Sequence, residues 1–354
     1  KWLKPGDNGT VPPAGAAVQA EIFDGEHTPM PAGWRTCSYS ALSTSKTSGS
    51  PHAPSADDAN FADQSMPSSA TDERMDNEDN EDDEESSAEL SHAPIHWAPI
   101  FRFPRGTQAG LCWHEILEKI DFTLPVVQLE PLYSNLLKTH AQLSQDAMEQ
   151  QERLDAFTQM LEGLLNTPLP DPRNPEQNLP FALKDIDFDP RSSKLEFKYR
   201  LKNGFSSQAL FGDSTEIRLP AKWFRDYRPE SQWTLNGCLD LLFQAPDGKY
   251  YIGDWKTNSL NRTFEAFDRQ GMQAEMDAHF YTLQYLLYTT AFLHAYQQLN
   301  PDWTLTPESY DRLFGGVFYF FVRGIRPGQP GANGFYATRP SFELVQRFFH
   351  HLTV

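Results

Sequence analysis

The run Gly315-Gly-Val-Phe-Tyr-Phe-Phe-Val322 restricts the fold more than any other segment, because none of its residues is charged. A short apolar run with no alternation reads as a strand buried on both faces. It is too short for a membrane helix, which takes about 20 apolar residues, and no other run reaches that length. A buried strand needs cover and neighbours, and the surrounding segments provide both. Residues 280–299 carry the pattern of a long amphipathic helix and 342–352 that of a closing helix. Lys194-Leu-Glu-Phe-Lys-Tyr-Arg-Leu201 alternates strictly, which predicts a half-buried strand with Glu196 on its polar side. Residues 235–243 and 249–255 are β-rich runs separated by Ala-Pro-Asp-Gly, the signal of a hairpin. Upstream, 111–120 and 129–165 place apolar residues at helical spacing (Leu132, Leu136 and Leu137; Phe157, Leu161 and Leu164), and Pro168, Pro170 and Pro172 end the pattern. The expected fold class is α/β, a mixed sheet with helices packed on it. A mainly helical part at about 105–180 precedes an α/β core at 181–354.

Charge sets the boundary of this fold. The 354 residues carry a net charge of -18, but 1–100 hold 18 acids and 5 bases (-13), leaving 30 and 25 (-5) for 101–354. The first hundred residues are rich in Pro, Ser, Gly, Asp and Glu without an apolar period, so they bury too little surface to offset the entropy of ordering. They read as a disordered acidic linker. Within it, 72–89 hold eleven acids against Arg74, a self-repelling run that suits a solvated spacer or, more sharply, an acidic mimic of DNA. Trp97, Ile100, Phe101 and Phe103 mark where folding begins. Cys37, Cys112 and Cys238 form no CxxC pair for zinc or an iron-sulfur cluster and fit a reduced, cytoplasmic compartment. The N-terminus lacks a signal-peptide pattern. Starting at Lys1 in a Pro/Gly/Ala stretch, the chain is expected to be a C-terminal piece of a longer polypeptide. No G-x-x-x-x-G-K-[ST] loop occurs, so these residues hold no ATP motor of that kind.

The hairpin carries the chemistry. Its turn centres near Asp247, which sets Asp240 and Asp254, each seven residues away, opposite one another. Directly opposed residues have Cβ atoms about 5 Å apart. Two carboxylates that close repel in a half-buried sheet unless a cation lies between them. Lys256 follows Asp254 by two, so its ammonium shares that face. Two hard oxygen donors and one positive charge are what phosphodiester hydrolysis asks of a site that binds Mg2+, as one ion or two. Spacing alone is weak and is read more simply as charges decorating an exposed hairpin.

The surrounding residues narrow this. Asn236-Gly-Cys-Leu-Asp-Leu-Leu-Phe243 and Tyr251-Ile-Gly-Asp-Trp-Lys-Thr-Asn258 resemble the G-x-x-D and D-x-K-[ST]-N segments of the RecB-type nuclease family, a branch of the PD-(D/E)xK nucleases. Phe103-Pro-Arg-Gly106 with His114 is similar to that family's leading motif, Gln284 and Tyr288 to its Q-x-x-x-Y helix, and the segments 314–324 and 336–340 to its late strands. Trp34-Arg-Thr-Cys-Ser-Tyr-Ser40 resembles the segment that leaves the family's helicase portion. Two departures stand out: Leu239 occupies the place of the proline in the family's title motif, and three cysteines do not suffice for the cluster some relatives carry.

The resemblance implies the PD-(D/E)xK nuclease fold, with Asp240 and Asp254 as metal ligands and Lys256 as the catalytic lysine. His114, which helical spacing alone would make a core histidine between Leu111 and Leu117, is implied to be a further ligand. Glu196 is implied to lie near the metal, against a solvated strand face as the plain reading. Gln284 and Tyr288 either line the DNA path or brace their helix. The implied activity is Mg-dependent hydrolysis of DNA by an exodeoxyribonuclease V type enzyme in double-strand break repair and recombination. The implied partners are DNA single strands delivered by a motor and RecC-like and RecD-like subunits, with no membrane. Phosphate contact needs local positive charge, for which Lys194, Lys198, Arg200 and Lys202, and Lys222, Arg225 and Arg228, are the candidates. A non-catalytic docking module and a free-standing nuclease of the same fold are the competing readings.

Overall fold

The structure is a computed structural model and describes residues 19–21, 34–37, 97–186, 195–200, 232–328 and 332–351. The run at 72–89 and residues Lys194, Lys202, Lys222, Arg225 and Arg228 lie outside them.

Three helices come first: α1 (Thr107–Lys119), α2 (Val126–Thr139) and α3 (Ala147–Asn166). Gly106, at φ 87, turns the chain into α1, a left-handed conformation glycine adopts without strain. The Asp146 side chain caps α3 by accepting the Glu149 N–H at 2.9 Å. Their inward stripes meet in an aromatic nucleus, with Trp113 edge-on to Phe103 at 5.3 Å and to Phe157 at 5.0 Å.

A short ribbon, β3 (Pro170–Asp171) with β4 (Asn174–Asn178), leads to the sheets. The central sheet has the order β10-β9-β8-β7, formed by β7 (Leu241–Gln244), β8 (Tyr250–Lys256), β9 (Phe314–Phe321) and β10 (Phe335–Thr338). β8 and β9 run parallel and the outer pairs antiparallel, so the sheet is mixed as expected. Every residue of β8 and β9 is buried. At Gly315 the Tyr251 ring lies where a side chain would stand, so only glycine lets the two strands meet.

The hairpin differs from the expectation. Residues 232–239 form β6 (Gln232–Leu239), which pairs with β5 (Leu195–Arg200) in a second sheet, and only 241–244 pair with β8. The chain changes sheets at Asp240. The second sheet also takes in β1 (Gln19–Glu21) beside β5 and β2 (Trp34–Cys37) beside β6. Those two segments lie within 1–100: the edges of β5 and β6 offer unpaired backbone groups, and the β-prone Trp-Arg-Thr-Cys run fills one of them.

α4 (Arg269–Ala278) and α5 (Tyr281–Leu299) follow β8, α6 (Pro307–Leu313) precedes β9, and α7 (Phe342–His351) closes the fold. α5 is not amphipathic over most of its length: every residue from Tyr281 to Leu293 is buried. Neighbours on several sides explain this, including Phe197 of β5 against Tyr288 at 5.8 Å and Phe349 of α7 stacked on His294 at 4.0 Å. Among the described residues no helix is long and apolar enough to cross a membrane.

Candidate active site

β8 brings Asp254 and Lys256 to one face by its two-residue repeat, while Trp255 points the other way to pack on Phe122 and Phe320. The Lys256 ammonium lies 3.0 Å from Asp254 Oδ2. Asp240 reaches the same segment from the bend between β6 and β7. Its Oδ2 accepts the Trp255 N–H at 3.2 Å, so its carboxylate substitutes for the ladder partner that β8 loses where β7 begins. The paired ladder ends at Leu241 and Gly253, one step short of Asp240 and Asp254 in the same register, and Asp240 joins the site through β8's backbone. His114 enters from α1, with Nδ1 3.5 Å from Asp240 Oδ2.

All four groups are nearly closed off from solvent, at 3 % exposure for Asp254, 4 % for Lys256, 5 % for His114 and 8 % for Asp240. Buried charge is costly unless compensated. Two carboxylates against one ammonium leave negative charge in surplus, and the donors around it are hard carboxylate oxygens and an imidazole. Such a set fits a hard divalent ion such as Mg2+, which takes few protein ligands and keeps part of its water. Among the described residues no three His, Cys, Asp or Glu side chains are already gathered around one point. The arrangement is therefore two linked pairs, His114 with Asp240 and Asp254 with Lys256.

Glu196 is not drawn into this cluster. It is exposed on β5 opposite Cys238, two residues short of Asp240. Gln284 and Tyr288 are buried at 0 % and 5 % exposure, and the Gln284 Nε2 donates to the Tyr288 hydroxyl at 3.3 Å. Both lie inside the fold, one turn apart on α5. Lys198, of the candidate basic strand face, is exposed on β5. Burial first, and then the Glu115 carboxylate, pushes the Cys112 thiol up to about 12.

Three residues that the sequence reading did not single out complete the site. Tyr281 sets its ring 3.8 Å from the Lys256 ammonium. Tyr319, beside Asp254 in the parallel ladder, turns its hydroxyl to Gln284 Oε1 at 2.9 Å. Arg323 is 1 % exposed and donates to the carbonyls of Thr257 at 2.7 Å, Pro104 at 2.6 Å and Ile100 at 3.1 Å. It thereby ties the segment leading into α1 to the end of β8. Tyr281 precedes Gln284 by three and so shares its side of a helix, a signal the sequence does contain. Tyr319 and Arg323 depend on strand register and long-range packing, which leave no local mark.

The chain belongs to the PD-(D/E)XK nuclease superfamily, which residues 93–353 match. Within it the domain is RecB-like. It is 30% identical over 249 residues to the RecBCD enzyme subunit RecB of Escherichia coli K12, covering 69% of this chain and 19% of that protein. It is 31% identical over 271 residues to the RecBCD enzyme subunit RecB of Haemophilus influenzae, covering 74% and 20%. The subunit of the same description from Buchnera aphidicola of Acyrthosiphon pisum is 29% identical over 257 residues. The chain spans about a fifth of the length of these relatives.

Proposed function

We propose that this domain is a Mg2+-dependent deoxyribonuclease of the exodeoxyribonuclease V type that hydrolyses single strands. In this reading it is the nuclease part of a RecBCD-like helicase–nuclease acting in double-strand break repair and recombination. It works in the cytoplasm, on DNA delivered by a motor outside these residues, beside RecC-like and RecD-like subunits. The observation that carries the reading is the burial of Asp240, Asp254 and Lys256 along one segment of β8, with His114 against Asp240.

Asp240, Asp254 and His114 would hold the ion. When bound, a divalent ion supplies Lewis acidity for water and for the phosphate oxygens. Asp254 also fixes Lys256, whose ammonium supplies positive charge where the phosphate gathers negative charge in the transition state. Asp240 stays oriented through the Trp255 N–H, and the near-complete burial of the four groups keeps bulk water from screening these charges.

The test uses purified chain, labelled single-stranded DNA and Mg2+, beside Asp254→Ala and a chelator control. The expected result is cleavage by the native chain, its loss with chelator, and a drop of about a hundredfold or more for Asp254→Ala. Equal cleavage by both proteins would remove Asp254 from the mechanism. If neither cleaves, with or without added RecC-like and RecD-like subunits, a docking role replaces the nuclease reading.

A further inference from the structure

The chemistry proposed above depends on where the Lys256 ammonium stands, and the Asp254 carboxylate that it contacts is proposed to bind metal. A divalent ion on Asp254 would repel the ammonium across a short distance, so the strength of that contact changes with what the carboxylate binds. The ammonium also makes a contact of another kind. Its nitrogen lies 3.8 Å from the centre of the Tyr281 ring and 5.7 Å from that of Tyr319. An aromatic face attracts a desolvated cation through its quadrupole and does so whatever the carboxylate binds.

The ring is itself held from several sides. Tyr281 is 2 % exposed and stacks on Tyr319 at 5.5 Å and 22° and on His279 at 5.4 Å and 22°. The Tyr319 hydroxyl shares its proton between Gln284 Oε1 at 2.9 Å and the Tyr281 carbonyl at 3.1 Å. The residue that launches α5, Phe280, sits at φ 55, a left-handed conformation unfavourable for a bulky aromatic. Strain of this sort persists where surrounding structure requires it, and here it sets the direction of the very next side chain.

We infer that Tyr281 is a positioning residue for the reaction: its ring face holds the Lys256 ammonium in place beside Asp254, independently of what that carboxylate binds. Gln284 and Tyr319 act on the site through this ring. The inference rests on the nuclease reading, and its test separates the two.

Tyr281→Phe keeps the ring face, whereas Tyr281→Leu removes it. Single-turnover cleavage of single-stranded DNA in Mg2+ is measured for both, with DNA affinity in Ca2+ and the side-chain NMR signals of Lys256, assigned by comparison with Lys256→Met. Tyr281→Leu should slow cleavage by about tenfold, with affinity in Ca2+ changed less than about twofold, while Tyr281→Phe restores most of the rate. The Lys256 ε-methylene protons should show an upfield ring-current shift in the native chain and in Tyr281→Phe that disappears in Tyr281→Leu. Cleavage by Tyr281→Leu at the native rate, or absence of the ring-current shift from the native chain, would overturn the inference. If Tyr281→Leu does not fold, the shift in the native chain and in Tyr281→Phe still decides the contact. Native cleavage by Lys256→Met with the shift present would instead sink the nuclease role of Lys256 and with it the function of the ring.

Discussion

Arg323 does more for this site than its distance from the reacting groups suggests. Its guanidinium is the shared donor for carbonyls from the segment before α1 and from Thr257, one residue past Lys256, and it lies 4.8 Å from the Trp113 ring. Only arginine offers several N–H groups in a rigid plane, so lysine does not replace it. Arg323→Met keeps much of the volume but leaves buried carbonyls without a donor, and should cost about 3 kcal/mol in urea unfolding. It should also lower cleavage in the folded protein, because α1 carries His114 and β8 carries Lys256. A variant of native stability would show that these carbonyls find other donors or water.

At the level of elements, α3 supports the helical layer against which α1 is set, and its first turn is tied by charge. Arg153 donates to Glu149 Oε1 at 2.8 Å and Ser144 to Glu149 Oε2 at 2.6 Å. Burial by itself would raise the Glu149 carboxyl, but the Ser144 hydroxyl and the Arg153 guanidinium outweigh it and hold the group below its ordinary value of 4.5. A carboxyl lowered in the folded state adds stability that is complete above its unfolded value and is lost as pH falls through the folded one. Stability should therefore decline as pH drops below about 4.5, and Glu149→Gln should flatten that part of the curve. Thermal melts of both proteins from neutral pH down to acid measure it, and parallel curves would refute the assignment.

For the molecule as a whole, the helical part and the central sheet share one core. A single buried cluster runs from Ile100 through Trp113, Phe157, Trp255 and Phe320 to Phe349. Arg323 fastens the two parts by hydrogen bonds spanning more than two hundred residues of chain. They should unfold in one cooperative transition. Circular dichroism at helical wavelengths and tryptophan fluorescence, followed through the same urea series, should give coincident midpoints. Separate midpoints would mean that 97–186 is an independent unit.

Local chemistry was readable in advance wherever residues a few positions apart decide it. Strand period put Asp254 and Lys256 on one face, the uncharged run before Val322 announced a central strand, and Ala-Pro-Asp-Gly fixed the turn near Asp247. Three features were decided only in three dimensions. The break at Asp240 depends on a carboxylate finding the Trp255 N–H, α5 lost its expected polar face because β5 and α7 cover it, and Tyr281, Tyr319 and Arg323 gained their places from contacts across strands and helices. The reason is physical: periodicity determines which way a side chain points from its own element, whereas what it meets there depends on register and packing with segments far away in the chain.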